Sequence, residues 1–595
     1  MAAGATSSPS DPRPILDDQR CFVVESTVPN FVHTTHPVTV PPLVNGREIA
    51  RRPVLIAGGG PVGLAVALAL ASRGIAVLVV EADQTVCAGS RAICLSRRTL
   101  EILERLGALT PFQEKGLPWM GGRSFHRSDE VLHFTMPNDR DQRLAPMTNL
   151  QQYYIEQFLL DAAAKCDPNL LEVRWGTRVD GLHQGRDGVV VELATDTVSY
   201  ATECDFLVAC DGARSRVRQA VGLRMNGTSY EGRYVIVDIE IDLDLPTERL
   251  AWFDPPSNPG RTMLMHKQPD NIWRLDYQLH PTEDSEEMIR EDKVTPVVAA
   301  HLEMIGIDRP WRLIWTSMYR AAAVSLDSYR SDRVVFAGDA AHLVPIFGVR
   351  GLNSGFDDAF NLGWKLASVI AGCSPDTILD TYSEERRRAW EVNVTSAMKS
   401  TEFMAPPSRG YELMRDAVLS LAKDHPAIAT LIDPRQSAPI AYEGSRLNTV
   451  TRDEGSFNAG PRPGSPPLEC PLIVNGKKCY LTSVLGSDFT LVWTGEGDLP
   501  SMVTNELHCA INRGLSVVLL TIGAARLLSG TAGQLQTLHA EVVEGRFTEL
   551  YDAAPSAAYL FRPDGHVCAR WRTMRPGDLS NAIDTALGCG KAERS

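Results

Sequence analysis

This sequence predicts an α/β fold built on a Rossmann-type nucleotide-binding unit, with a β-rich region in the middle and further α/β structure at the C-terminal end. Three features predict it. An apolar run at 54–57 leads into Gly58-Gly59-Gly60-Pro61-Val62-Gly63. An Ala/Leu-rich stretch with helical character follows. A second apolar run, Val77–Val80, then closes on an acid, Glu81.

Each part of the glycine motif has a physical task. Gly58 permits a tight turn, Gly60 lets the backbone approach a diphosphate, and Gly63 allows close helix–strand packing. Pro61 and Val62 open a helix whose free N–H groups and positive dipole end attract an anion. Glu81 ends the second strand, where a carboxylate accepts from a ribose hydroxyl. Alone, a G-x-G-x-x-G is weak evidence; with both strands, the helix and the acid in register, it predicts a bound dinucleotide.

Composition sets the outer limits. At 595 residues the chain exceeds one hydrophobic core, so two or three domains are expected. Hydrophobic residues make up 44% and charged residues 22%, as in soluble globular proteins. A net charge of -14 argues against nucleic acid or an anionic membrane as partner. Arg386-Arg387-Arg388 follows Glu384-Glu385 and reads as a solvated helix face. Twelve cysteines form no CxxC pair, which predicts mostly inert thiols, a reducing compartment and no metal site. Neither an apolar leader core nor a run of about 18 apolar residues occurs, so a cytoplasmic enzyme without a membrane anchor is expected.

Along the chain, residues 1–50 read as a polar, Pro-dotted arm or a wrap over the first domain. The pattern divides into 51–224, 225–330 and 331–440. The middle stretch, 225–330, reads as β-rich with strands at 234–241, 262–266 and 272–279. Helices are expected at 96–107, 150–164 and 356–371, and a buried strand at 334–337. A Pro/Gly/Ser-rich stretch at 460–471 lies within the last region, 441–595, whose strands are expected at 489–493 and 516–521.

Two further motifs narrow the chemistry. One is Cys210-Asp211-Gly212-Ala213-Arg214-Ser215-Arg216-Val217-Arg218. The other is Gly338-Asp339-Ala340-Ala341-His342-Leu343-Val344-Pro345, continuing through Gly348-Val349-Arg350-Gly351-Leu352-Asn353 to Asp358-Ala359. In this order the chain resembles the FAD-dependent aromatic hydroxylases of the p-hydroxybenzoate hydroxylase and phenol hydroxylase type, most strongly over 50–400. Its layout looks most like hydroxylases of 3-(3-hydroxyphenyl)propionate. The resemblance implies a Rossmann-like FAD-binding domain, an interleaved substrate domain and a thioredoxin-like C-terminal domain lacking a redox cysteine pair. It also implies that Asp339 bonds the ribityl chain and that the amides of Gly351, Leu352 and Asn353, after Pro345, lie near the flavin pyrimidine edge. Arg91 and Gln152 would contact FAD, and Asp211 and Arg218 would serve the diphosphate region and the nicotinamide cofactor. The chain departs from many members in Ile346 after Pro345 and in Arg350.

The implied reaction consumes NADPH or NADH and O2 and hydroxylates a phenolic aromatic substrate through a flavin C4a-hydroperoxide. The substrate class the resemblance suggests is a phenol with an acidic side chain. The site then needs a base or relay for the phenol proton. Candidates lie on strand-like segments: His266, Arg274, Asp276 and Tyr277, with Arg261 nearby. Arg274 and Asp276 share one strand face and Tyr277 takes the other. Arg274 fits a substrate carboxylate and an internal ion pair equally well. A homodimer or higher homo-oligomer is expected. Rival readings are a tailoring hydroxylase of multi-ring, polyketide-like substrates and a non-catalytic flavin-binding module. Cys87 and Cys94, spaced C-x6-C with no second nucleotide fold, speak against a disulfide oxidoreductase.

Overall fold

The computed structural model describes residues 21–23, 28, 30–432, 437–495, 497–523, 525–526, 535–554 and 556–590. Residues 1–20 of the expected N-terminal arm lie outside them. The described part of that arm wraps the first domain: His36 stacks on Trp175 at 4.2 Å, and its N–H donates to Gln84 O.

The short apolar runs become a parallel sheet because each is buried on both faces. Leu171–Arg174, Val77–Val80, residues 54–57, residues 206–209 and Val334–Phe336 lie side by side in that order, all parallel. Helix Pro61–Ala71 and helix Gly351–Ile370 pack on each other beside this sheet. Glycine sets their approach. A Cβ on Gly363 would lie 2.6 Å from Ala69 Cβ, and one on Gly355 2.5 Å from Val62 Cγ2. The second helix starts at Gly351, five residues before the expected 356. Gly351, Asn353, Ser354 and Gly355 interrupt the apolar period there, so tertiary packing sets the start.

A second sheet shares a cavity with the turns that follow the parallel strands. Its order is Cys21–Val23, Arg312–Ser325, Asn226–Glu240, Ile272–Gln278, Thr262–Lys267, Arg249–Phe253, Gly121–His126 and Asp129–Thr135. Alternation sorts its faces. Val235, Val237, Trp273, Leu275, Tyr277, Met263 and Met265 form an apolar cluster with Val294, Val298 and Leu302 of helix Glu291–Met304. Ile236, Leu264, His266, Arg274 and Asp276 point the other way, into a cavity. The strands at 121–135 join from far upstream, through parallel pairing of Arg249 with Gly122.

The C-terminal region holds a third sheet. Phe489–Trp493 pairs in parallel with Val517–Ile522 across helix Ser501–Asn512, and antiparallel with Ala558–Phe561, which turns into Val567–Trp571. A buried ionic cluster seats this region on the first domain. Glu385 accepts from Arg562 at 2.7 Å, Lys365 at 2.8 Å, Asn361 at 2.8 Å and Ser445 at 2.6 Å. Burial alone would raise the Glu385 carboxyl; Arg562 and Lys365 hold it well below the usual range, while burial pulls Lys365 down to about 8. The expected solvated face at 384–388 is corrected here. Glu385 and Arg386 turn inward, and only Glu384 and Arg388 are exposed.

Glu385→Gln leaves buried Lys365 without a carboxylate, while Arg562 keeps Asp564 at 2.5 Å. Breaking a buried pair costs about 3–5 kcal/mol, so the variant is expected to unfold at a clearly lower urea concentration than the unchanged protein. The Glu385 carboxyl is depressed on folding, so its contribution is present above the ordinary carboxylate range and fades on acidification. The variant's deficit therefore narrows in acid. No helix among the described residues is long and apolar enough to cross a membrane.

Candidate active site

One cavity of about 540 Å³ runs between the parallel sheet and the second sheet. At one end stands the glycine turn. Gly58 has φ +103°, and a Cβ on it would meet Cys210 O at 2.4 Å; one on Gly63 would meet Gly58 O at 2.0 Å. Gly60, on the cavity wall, finds nothing within 4 Å. The turn is thus packed tight behind and open in front. Helix Pro61–Ala71 has no side-chain cap, so its first N–H groups open at the cavity.

A second uncapped helix start stands farther along the same wall. Arg350 is the N-cap of Gly351–Ile370, its side chain does not cap the first turn, and Gly351 and Leu352 line the cavity. Two positive dipole ends therefore face one space. The first suits a diphosphate and the second a ring system that gains negative charge on reduction. Asp339 and Asp211 line the same cavity, and Asp211 Oδ1 is buried without a partner. These residues fit an extended dinucleotide such as FAD.

The other expected cofactor residues divide between wall and scaffold. Pro61, Val62, Arg91, Gln152, Asp211, Asp339, Gly351 and Leu352 line the cavity. Gln152 accepts from Ala92 N–H at 3.3 Å and donates to Glu156 at 2.9 Å. Glu81 sits behind the turn, accepting from Gly59 N–H at 2.6 Å and Asp83 N–H at 3.0 Å. Arg218 lies off the wall. Its guanidinium ties Ala213 O at 2.6 Å to Ala340 O at 3.1 Å, joining the two motif turns. The Asn353 side chain is fully engaged with Ser96 N–H, Thr99, Cys94 O and Val349 O. Pro345 is buried between the lining residues Val344 and Ile346.

Asp358 holds the second motif in shape. It accepts from Gly338 N–H at 3.0 Å and Arg386 Nε at 2.6 Å, and pairs with His342 Nε2 at 2.7 Å. Burial opposes its charge, but His342 and Arg386 keep its carboxyl well below the ordinary range. Motif position alone marks Asp358; its ion pair with Arg386 carries no local sequence signal.

Beyond the second helix start, the cavity reaches the polar face of the second sheet. Arg274 lines it, yet its guanidinium is bound to Asp238 at 2.8 Å through Nε and again through Nη2, and to Arg91 O at 2.8 Å. The internal ion pair thus occupies it. Tyr277 belongs to the opposite, apolar face, and as a candidate at the cavity it is corrected: strand alternation turns it away. Arg261 is likewise absent from the wall.

His266 and Asp276 remain. His266 Nε2 lies 4.0 Å from Asp276 Oδ2, while His266 Nδ1 and Asp276 Oδ1 are buried without hydrogen-bond partners. Burial pushes the Asp276 carboxyl up to about 7, against the pull of Arg274, and burial pushes His266 well below its usual value. A neutral imidazole beside a carboxyl that titrates near neutrality is suited to proton transfer. Arg249, which carries no motif in the sequence, lies on this wall as well.

Comparison with known proteins agrees with this geometry. A family model described as FAD binding domain matches residues 51–397. A 3-(3-hydroxy-phenyl)propionate/3-hydroxycinnamic acid hydroxylase of Mycolicibacterium smegmatis is 28% identical over 546 residues, 89% of this chain and 92% of that protein. The flavin-dependent monooxygenase PieE, solved with FAD and substrate, superposes with a TM-score of 0.77 at 25% identity, covering 91% of this chain and all of that one. The anhydrotetracycline hydroxylase OxyS of Streptomyces rimosus gives a TM-score of 0.65 at 26% identity, covering 91% and 99%. With the family model spanning more than half of its length, the chain belongs to the FAD-binding-domain family, and its cofactor is FAD.

Proposed function

We propose that this protein is an NAD(P)H-consuming, FAD-dependent monooxygenase that hydroxylates a phenolic substrate. One observation carries the reading: a single cavity joins two uncapped helix starts to a partnerless His266–Asp276 pair whose carboxyl titrates near 7. The relatives support it, since the M. smegmatis protein is named for hydroxylating hydroxyphenyl acids.

FAD, reduced by NADPH or NADH, supplies the activation of O2 and the transfer of one oxygen atom. The chain does the rest. Gly60 and the start of helix Pro61–Ala71 hold the diphosphate, with Glu81 and Arg218 shaping the turns behind it. Asp339, Arg91, Gln152 and the amides of Gly351, Leu352 and Asn353 orient the ribityl and ring portions. The sheet above excludes water, and Asp276 Oδ1, beside His266, accepts the phenol proton so that the ring becomes electron-rich.

Several finer points belong to the same reading. The domains run 51–224 with 331–440 for FAD, 225–330 for substrate and 441–595 for the C-terminal unit. That last unit is read as thioredoxin-like, supported by its parallel βαβ followed by an antiparallel hairpin and helix Asp578–Ala586. A cytoplasmic location and a homo-oligomer are part of the proposal. A multi-ring substrate is the second reading, favoured by the likeness to OxyS at 26% identity.

The test is a panel of phenolic acids, neutral phenols and anhydrotetracycline, scored by substrate-stimulated NAD(P)H consumption, O2 uptake and product mass. A phenol that stimulates all three and gains one oxygen supports the reading. Stimulation only by the multi-ring compound transfers it to the second.

A further inference from the structure

We infer that Arg249 is the receptor for a carboxylate on the substrate, so that this site selects phenolic acids over neutral phenols. The inference rests on the hydroxylase reading for what happens to the bound molecule, but not for how it is held.

Arg249 is buried, 7% exposed, on the cavity wall. Its Nε and Nη1 have no hydrogen-bond partner, and among the described residues no carboxylate lies within 4.0 Å of it. A guanidinium withdrawn from water without an anion is costly, and folded chains rarely keep one unless something else meets it. Burial lowers its affinity for its proton, against the pull of Asp276. The neighbouring cations are already engaged: Arg274 by Asp238, and Arg350 by Asn393 at 2.8 Å.

Strand pairing packs the Arg249 backbone tightly, while its side chain reaches the cavity wall. Arg249 pairs in parallel with Gly122, where a Cβ would meet Arg249 O at 2.3 Å and Arg249 Cβ at 3.0 Å. Across the other edge, Arg249 faces His266. A guanidinium presents paired N–H groups, Nε with Nη2 or Nη1 with Nη2, that match the two oxygens of a carboxylate, whereas a phenolate offers one. Asp276 stands two strands across and two residues along, roughly 12 Å backbone to backbone at strand spacing, and with both side chains reaching inward the remaining gap is one that a phenol ring with a short acidic arm spans. The ring hydroxyl then meets Asp276 while the acid meets Arg249.

The experiment titrates the FAD-loaded enzyme calorimetrically with 3-(3-hydroxyphenyl)propanoate and with its neutral amide. The unchanged enzyme is expected to bind the acid on the order of 30-fold more tightly, the value of a charge-assisted pair. Arg249→Met should erase that preference, and Arg249→Lys should keep part of it. Equal binding of acid and amide, failure to bind the acid, or a preference that survives Arg249→Met overturns the inference. The acid–amide comparison needs no variant, so it decides the matter even where a variant fails to fold. The hydroxylase reading fails separately: the acid would bind through Arg249 yet neither stimulate NAD(P)H oxidation nor gain oxygen.

Discussion

Gly60→Val is expected to give a folded protein that no longer holds FAD. A Cβ at Gly60 meets no protein atom within 4 Å, and its φ of -72° and ψ of -177° are open to any residue. The new methyl groups therefore enter only the space where the backbone must approach the diphosphate. Losing even two N–H bonds to a charged group weakens binding about 100-fold or more. Gly63→Ala makes the contrast, because its Cβ would lie 2.0 Å from Gly58 O inside the packed turn. That variant should lose the fold of the βαβ unit along with the cofactor. Flavin absorbance and far-ultraviolet circular dichroism on the same samples separate the two outcomes.

Asp276→Asn should leave FAD in place and lower the hydroxylation rate by about 10²–10⁴, the range for removing a general base. In the unchanged enzyme the carboxyl titrates near 7, so hydroxylation should decline as pH falls below that value. The asparagine variant should lose that inflection. Stability supplies an independent sign. The folded-state value lies above the ordinary 3.8, so the stability that protonation protects is complete below 3.8 and is lost as pH rises through about 7. Asp276→Asn should therefore melt higher than the unchanged protein above neutrality, with the gap closing in acid. A variant that melts lower at every pH would show a structural role for Asp276 in place of a proton-accepting one.

Much of the frame was legible because it depends on local signals. The runs at 54–57, 77–80 and 206–209 are apolar without alternation, as strands buried on both faces must be, and they do form the parallel sheet. The glycine turn was legible because only glycine tolerates the contacts at Gly58 and Gly63. The start of the second helix at Gly351 was not, since its first turns carry glycine and polar side chains that break the helical pattern. The strands at 121–135 were equally hidden, because parallel pairing of Arg249 with Gly122 joins segments more than a hundred residues apart.

At the candidate site the pattern repeats. Alternation placed Arg274 and Asp276 on one face and Tyr277 on the other, and the fold keeps that division. Which face meets the cavity is a tertiary fact, and so is the Arg274–Asp238 pair that occupies Arg274. Arg249 carries only a faint local signal. It opens the short run Arg249–Phe253, and antiparallel pairing with Thr262–Lys267 sets it opposite His266.

The most direct measurement supplies the purified, FAD-loaded protein with NAD(P)H, 3-(3-hydroxyphenyl)propanoate and isotopically heavy dioxygen, and reads the product by mass. The account predicts a ring-hydroxylated acid carrying one heavy oxygen atom, formed in step with NAD(P)H consumed. A protein that takes up no flavin, or one that oxidises NAD(P)H while leaving every phenol in the panel unchanged, would contradict it.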